Sequence, residues 1–244
     1  LTGSTRLKAK RQLIQMAAEG TLDLLIGTHA LIQSGIDMPQ LALAAMDEQH
    51  RFGVLQRSAL RQKGVENPHS LVMSATPIPR TLSLTLYGDL DISTLDELPP
   101  GRQKIPTRWL GPERRPAAYG FLRKQVEAGR QSFIIYPLID ESDAIEAKAA
   151  TEEYQRLSKE IFPDLKLGLL HGRMPAKEKD RVMRQFRDGE LDILVSTAVV
   201  EVGIDVPNAT VMMIEGADRF GLSQLHQFRG RVGRGEHKSY CILL

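Results

Sequence analysis

The sequence predicts an α/β fold of two parallel-sheet domains, the first truncated at its N terminus. Short apolar, β-rich runs alternate with longer amphipathic stretches on both sides of residue 100, the order expected of strands and helices wound around parallel sheets. Five of the 13 prolines (Pro99, Pro100, Pro106, Pro112 and Pro116) crowd between Leu98 and Ala117, which marks a linker over 99–116 between domains 1–98 and 117–244. A chain of 244 residues with 42% hydrophobic and 25% charged residues is ordinary for a soluble globular protein of one or two domains.

In the first domain, apolar residues recurring at three and four positions predict a helix over 8–19, and apolar runs predict strands at 23–26, 41–46 and 70–73. In the second, strands are expected at 133–137, 166–170, 192–195, 211–214 and 240–243. Helices are expected at 114–128, 144–160, 176–188 and 222–229. The second set can close as a unit of about 130 residues, within the usual domain range. The first is too short in strands for a complete nucleotide-binding domain, which opens with a strand and a glycine-rich phosphate loop. None of the 20 glycines is followed by lysine, so the loop G-x-x-x-x-G-K-[ST] is not in this sequence.

Composition excludes some classes. No stretch approaches the roughly 20 apolar residues of a membrane span, and the start, Leu1-Thr2-Gly3-Ser4-Thr5-Arg6, has no initiator Met or signal-peptide pattern and reads as cut. The single cysteine, Cys241, excludes an internal disulfide framework, fits a reducing compartment such as the cytoplasm, and reads as a buried strand residue. A net charge of +2 with pI 8.7 requires any nucleic-acid contact to come from local clusters.

Chemistry-bearing residues are expected at strand ends, where open α/β sheets place their ligands. The run 41–46 ends in Asp47-Glu48-Gln49-His50 and reads as a Walker B strand: one carboxylate can hold Mg²⁺ on nucleotide phosphates while its neighbour orients the attacking water. Taken alone it is equally a solvated strand end. Ser74-Ala75-Thr76-Pro77 puts two hydroxyls after the next strand, or caps a helix. Ser196-Thr197 and Glu201 to Pro207 form another polar strand end. In Gln227-Phe228-Arg229-Gly230-Arg231-Val232-Gly233-Arg234 the glycines permit tight turns and two arginines stand three apart, suited to a γ-phosphate that guanidinium forks grip bidentately. The plainer reading is an arginine-rich surface turn. Lys177, Lys179, Arg181, Arg184 and Arg187 share a helix with apolar Val182, Met183 and Phe186 and read as a solvated face. A metal set of Asp47, Glu48 and His50 with a further histidine finds no His-x-x-x-His or cysteine pair to support it.

Together these segments resemble the superfamily 2 helicase motifs over the whole of 1–244. Asp47-Glu48-Gln49-His50 is similar to motif II, Ser74-Ala75-Thr76 to motif III, Ser196 to Pro207 to motif V and Gln227 to Arg234 to motif VI. Leu1-Thr2-Gly3-Ser4, Gly27-Thr28-His29-Ala30-Leu31 and Ala75-Thr76-Pro77-Ile78-Pro79-Arg80-Thr81-Leu82 point to the branch that holds the RecG-like helicases and the transcription-repair coupling factors. Gln49 and Glu97-Leu98-Pro99-Pro100-Gly101-Arg102 favour the RecG-like side.

The resemblance implies two RecA-like domains, ATP and Mg²⁺ as cofactors, and translocation on branched double-stranded DNA such as forks and junctions. By the same likeness Asp47 holds Mg²⁺, Glu48 positions the water, and Gln227, Arg231 and Arg234 approach the γ-phosphate. His50, Gly203 and Asp205 lie near the nucleotide, and Ser74, Ala75 and Thr76 couple ATP state to DNA grip. Thr2, Gly3, Ser4, Thr28, His29, His171, Gly172, Arg173 and Thr197 touch the phosphate backbone, contacts that carry no sequence preference. Without a phosphate loop, the chain alone is expected to be inactive, and its truncated first domain to self-associate through an uncovered sheet edge. A DNA-binding module that hydrolyses nothing is the alternative from another class.

Overall fold

The computed structural model describes residues 1–3, 5–28, 30–33, 36–47, 68–74, 91–97, 102–137, 143–198 and 205–244. The chain divides into two compact units, Leu1–Gly88 and Asp89–Leu244.

In the first unit, helix α1 covers Leu7–Ala18 and a single turn, α2, covers Ala30–Gln33. Strands β1 (Leu43–Met46) and β2 (His69–Val72) pair in parallel, with Leu43 opposite His69 and Met46 opposite Val72. Parallel strands are normally covered on both faces. Here Ala44 and Met46 are buried while Leu43 and Leu71, on the other face, are 55% and 49% exposed.

The strand expected at 23–26 does not form. Leu24 and Ile26 are each 74% exposed, and the neighbouring backbone is Leu1, whose N–H donates to the Ile26 carbonyl while the Thr28 N–H donates back to the Leu1 carbonyl at 3.0 Å. That exchange pairs Leu1 with Gly27 as one parallel rung, and one rung is too little to make a strand. Gly27 is required there, because a Cβ would stand 2.2 Å from the Leu1 carbonyl oxygen.

The second unit contains β3 (Thr107–Trp109), α3 (Arg115–Glu127), β4 (Gln131–Ile135), α4 (Asp143–Arg156), β5 (Leu167–Leu170) and α5 (Ala176–Arg187). Then follow β6 (Ile193–Ser196), β7 (Ala209–Ile214), α6 (Leu222–Arg229) and β8 (Tyr240–Leu243). The six strands form one parallel sheet in the order β3-β8-β7-β4-β6-β5. Every residue of β4, β6 and β7 is buried, which is why these strands read as continuous apolar runs rather than as alternation.

One face of this sheet packs Phe133, Met212 and Ile214 against Phe186 of α5 and Phe228 of α6; the rings of Phe133 and Phe186 meet edge to face at 4.9 Å. The other face packs Ile134, Val195 and Met213 against Leu122 of α3 and Leu157 beyond α4. Each of these large side chains contributes roughly 1.5–3 kcal/mol by leaving water. The expected helix 144–160 is realised in two parts, since α4 passes into a π turn, Leu157–Ile161, after which Phe162 joins Leu157 in the core.

The 99–116 stretch, expected as a linker, contributes to the sheet. Thr107 lies in register with Cys241, and the Pro106 carbonyl accepts the Cys241 N–H at 2.9 Å. Proline, lacking an N–H, is tolerated beside an edge strand, so proline density here conceals a strand rather than excluding one.

Candidate nucleotide and nucleic-acid sites

In the first unit Asp47 and Ser74 leave β1 and β2 at the same carboxyl edge, where the Met73 N–H donates to the Met46 carbonyl at 2.8 Å. Asp47 is exposed. The Leu1–Gly27 rung brings Thr2 and Gly3 alongside Thr28, and Thr2 is turned toward Thr5, whose Oγ1 accepts its N–H at 2.9 Å. Ser4, His29, Glu48, Gln49, His50, Ala75, Thr76 and Gly203 lie outside the described residues.

In the second unit two groups form. The first sits at the carboxyl edge of β5 and β6, adjacent strands in which Leu170 faces Ser196. His171, Gly172 and Arg173 follow β5 and Thr197 follows β6, and the Thr197 N–H donates to the Leu170 carbonyl at 3.2 Å. Gly172 and Arg173 are exposed; Thr197 is 1% exposed, and among the described residues its Oγ1 has no hydrogen-bond partner. The turn is closed by the Met174 N–H on the His171 carbonyl at 3.2 Å and by the His171 N–H on Met174 Sδ at 3.4 Å. The Lys179 ammonium also reaches this turn, donating to the Gly172 carbonyl. Lys179 thus leaves the solvated face expected of its helix.

The second group sets Arg234 beside Asp205, with Gln227 on the last turn of α6 and Arg231 in the turn that follows it. It lies at the amino edge of the sheet, away from the carboxyl edge where open α/β sheets usually place their ligands. The reason is topological: α6 starts beyond the carboxyl end of β7 and returns across the sheet before β8 begins, so the residues after it emerge where strands start. Gly233 packs on Ile105, just before β3, and a Cβ on Gly235 would stand 2.4 Å from the carbonyl oxygen of Pro207, just before β7. Arg234 Nη1 lies 3.5 Å from Asp205 Oδ1 and its Nε donates to the Gly230 carbonyl at 3.1 Å. One turn back, His226 Nδ1 sits 2.9 Å from Arg229 Nη2; burial, then the Arg229 charge, hold the imidazole below its ordinary pKa.

A third polar group had no sequence signal. Glu215, 5% exposed, follows β7 and accepts two bonds from Arg115, from Nε at 3.0 Å and Nη2 at 2.9 Å, with the Tyr119 hydroxyl at 3.5 Å. Arg156 bonds the Tyr119 hydroxyl at 3.3 Å and Glu153 at 2.8 Å. The bond to Glu215 raises the Arg115 pKa, and burial raises those of Tyr119 and Tyr136. These links join residues up to a hundred positions apart, beyond the reach of any local pattern. Among the described residues no three His, Cys, Asp or Glu side chains could together hold a metal, and no helix is long and apolar enough to cross a membrane.

Residues 117–236 match the family described as helicase conserved C-terminal domain. Over its full length the chain is 55% identical to the ATP-dependent DNA helicase RecG of Synechocystis sp. and 54% identical to that of Thermotoga maritima. The chain is RecG-like over its whole length. It spans 29% and 31% of the length of those two relatives. A solved RecG bound to a three-way DNA junction superposes with a TM-score of 0.71 at 49% identity, over 100% of this chain and 31% of that one. The Mycobacterium smegmatis helicase Lhr, bound to ssDNA and AMP-PNP, matches at TM-score 0.68 and 19% identity, a likeness of fold alone. The parallel sheets of this RecG-like chain are therefore those of RecA-like helicase domains.

Proposed function

We propose that this RecG-like chain is part of an ATP-dependent double-strand DNA translocase that remodels forks and junctions, working in a reducing, cytoplasmic compartment. The observation that carries the reading is the arrangement within the second unit, where one sheet displays exposed Arg173 at its carboxyl edge and the Arg234 group at its amino edge. Arginines at a phosphate and cations along a duplex are the two contacts such a motor needs, and separate edges let both act at once. The relative bound to a three-way junction supports branched DNA as the partner.

Asp47, an exposed carboxylate at the end of a parallel strand, suits Mg²⁺, a hard cation that takes one or two carboxylates together with phosphate oxygens. Bound there, the ion supplies charge neutralisation at the transferring phosphoryl group. Glu48 orients the attacking water, while Gln227, Arg231 and Arg234 bind the γ-phosphate. Asp205, Gly203 and His50 line the nucleotide, and Ser74, Ala75 and Thr76 couple its state to the DNA grip. That grip uses Thr2, Gly3, Ser4, Thr28 and His29 in the first unit and His171, Gly172, Arg173 and Thr197 in the second.

The test is DNA-stimulated ATP hydrolysis in a longer protein that joins this chain to a phosphate loop. Glu48→Gln and Arg234→Ala should each lower turnover by about 10³-fold, the scale of a lost arginine finger. Near-normal turnover in both would sink these assignments and leave a DNA-binding module.

A further inference from the structure

Helix α5 carries five cations, and four behave as a solvated face. Arg181 pairs with Glu178 at 3.4 Å, Arg187 pairs with Asp188 at 3.5 Å, and Lys177 and Arg184 project into solvent. Lys179 is half-buried and folds back onto the preceding turn, where its ammonium donates to the Gly172 carbonyl. The turn does not depend on that bond for closure, since the His171–Met174 pair closes it from both ends. What Lys179 adds is charge.

An ammonium has three donors, and the Gly172 carbonyl takes one. Among the described residues no carboxylate lies within 4.0 Å of Lys179. Its neighbours on the rim are exposed Gly172 and the exposed guanidinium of Arg173. Two cations at one tight turn, neither paired with an acid among the described residues, form a surface whose natural counterion is an external anion such as a duplex phosphate. We infer that Lys179 is a DNA-backbone contact in its own right, taking a phosphate beside the one held by Arg173 while it steadies the Gly172 carbonyl. This rests on the reading of His171–Arg173 as DNA-facing.

The experiment measures binding of this chain to a fluorescent three-way DNA junction across a salt series. Lys179→Met should weaken binding three- to tenfold at low salt and reduce the slope of log affinity against log salt by about one, the mark of one lost phosphate contact. Lys179→Arg should restore the slope, and Lys177→Met, on the exposed face of the same helix, should match the parent. A Lys179→Met loss with the slope unchanged would mean a purely structural lysine and overturn the inference. So would unchanged binding in Lys179→Met beside a clear loss in Arg173→Ala. If Arg173→Ala and Lys179→Met both leave binding intact, the DNA-facing reading of the turn fails along with the inference.

Discussion

Arg234 is held twice within its own unit, by Asp205 at 3.5 Å and by the Gly230 carbonyl at 3.1 Å. The Asp205 carboxylate is 67% exposed, so water screens the pair and it contributes no more than about 1 kcal/mol. Asp205→Ala should therefore move the melting temperature by less than about 4 °C, read by calorimetry. A larger fall would make the pair a structural strut rather than a loosely held arginine ready for a phosphate.

Glu215 is a different kind of acid. It is buried and bidentate to Arg115, and removing one partner of a buried pair costs about 3–5 kcal/mol, which the 37% exposure of Arg115 reduces to roughly 2–3. Urea titrations of Glu215→Leu, Arg115→Leu and the double variant should show the double losing less than the sum of the singles. Strict additivity would mean that the two side chains act independently.

The pH dependence below neutrality should report His226. Its folded pKa lies below the ordinary 6.5, so as pH falls the unfolded chain takes up the proton first. Its stabilising contribution is thus complete above pH 6.5 and drains away as pH falls through the lower folded value. Urea midpoints at pH 7.5 and 5.5 should differ less in His226→Gln than in the parent, and an equal difference in both would acquit this residue.

Burial pushes the Cys241 thiol up to about 11 from an ordinary 9.0. Its contribution is complete below pH 9.0 and is lost as pH rises through about 11, because only the unfolded chain ionises in between. Iodoacetamide at pH 8 should leave the native thiol unmodified and label it in urea, as thiolate is the reactive form. Rapid labelling without denaturant would contradict the buried assignment.

Leu43, Leu71 and Met73 are 55%, 49% and 42% exposed around a two-stranded parallel sheet, with Leu24 and Ile26 exposed nearby in sequence. The isolated chain should self-associate with rising concentration, and Leu43→Lys with Leu71→Lys should suppress it, both followed by light scattering after gel filtration. A monodisperse monomer at all concentrations would remove self-association from the reading.

Where an element announces itself by composition, the sequence and the structure agree. The largely apolar runs that became β4, β6, β7 and β8 are legible because central parallel strands are mostly dry on both faces. Leu24 and Ile26 carry a similar local pattern and make no strand; the backbone pairing beside them is the single Leu1–Gly27 rung, and a strand needs more than one rung. Thr107–Trp109 carries no pattern at all and becomes a strand because β8 offers an edge. The helicase-like segments were visible one by one, but α6 carries Arg231 and Arg234 across the sheet to the edge opposite His171, and periodicity does not state the direction in which a helix runs. Lys179 and Glu215 were hidden for a related reason: each is defined by a partner in another element.

The seat of β8 has a consequence for how the second unit is made. β3 is synthesised well before β8, its neighbour in the sheet; β8 in turn slots between β3 and β7. On a ribosome, the exposed Trp109 strand must wait until β8 has emerged before it can dock. A nascent chain stalled before Tyr240 would display two unsatisfied strand edges at once, those of β3 and β7, which makes Tyr240–Leu243 the residues that decide whether those two edges are joined or left open to other chains.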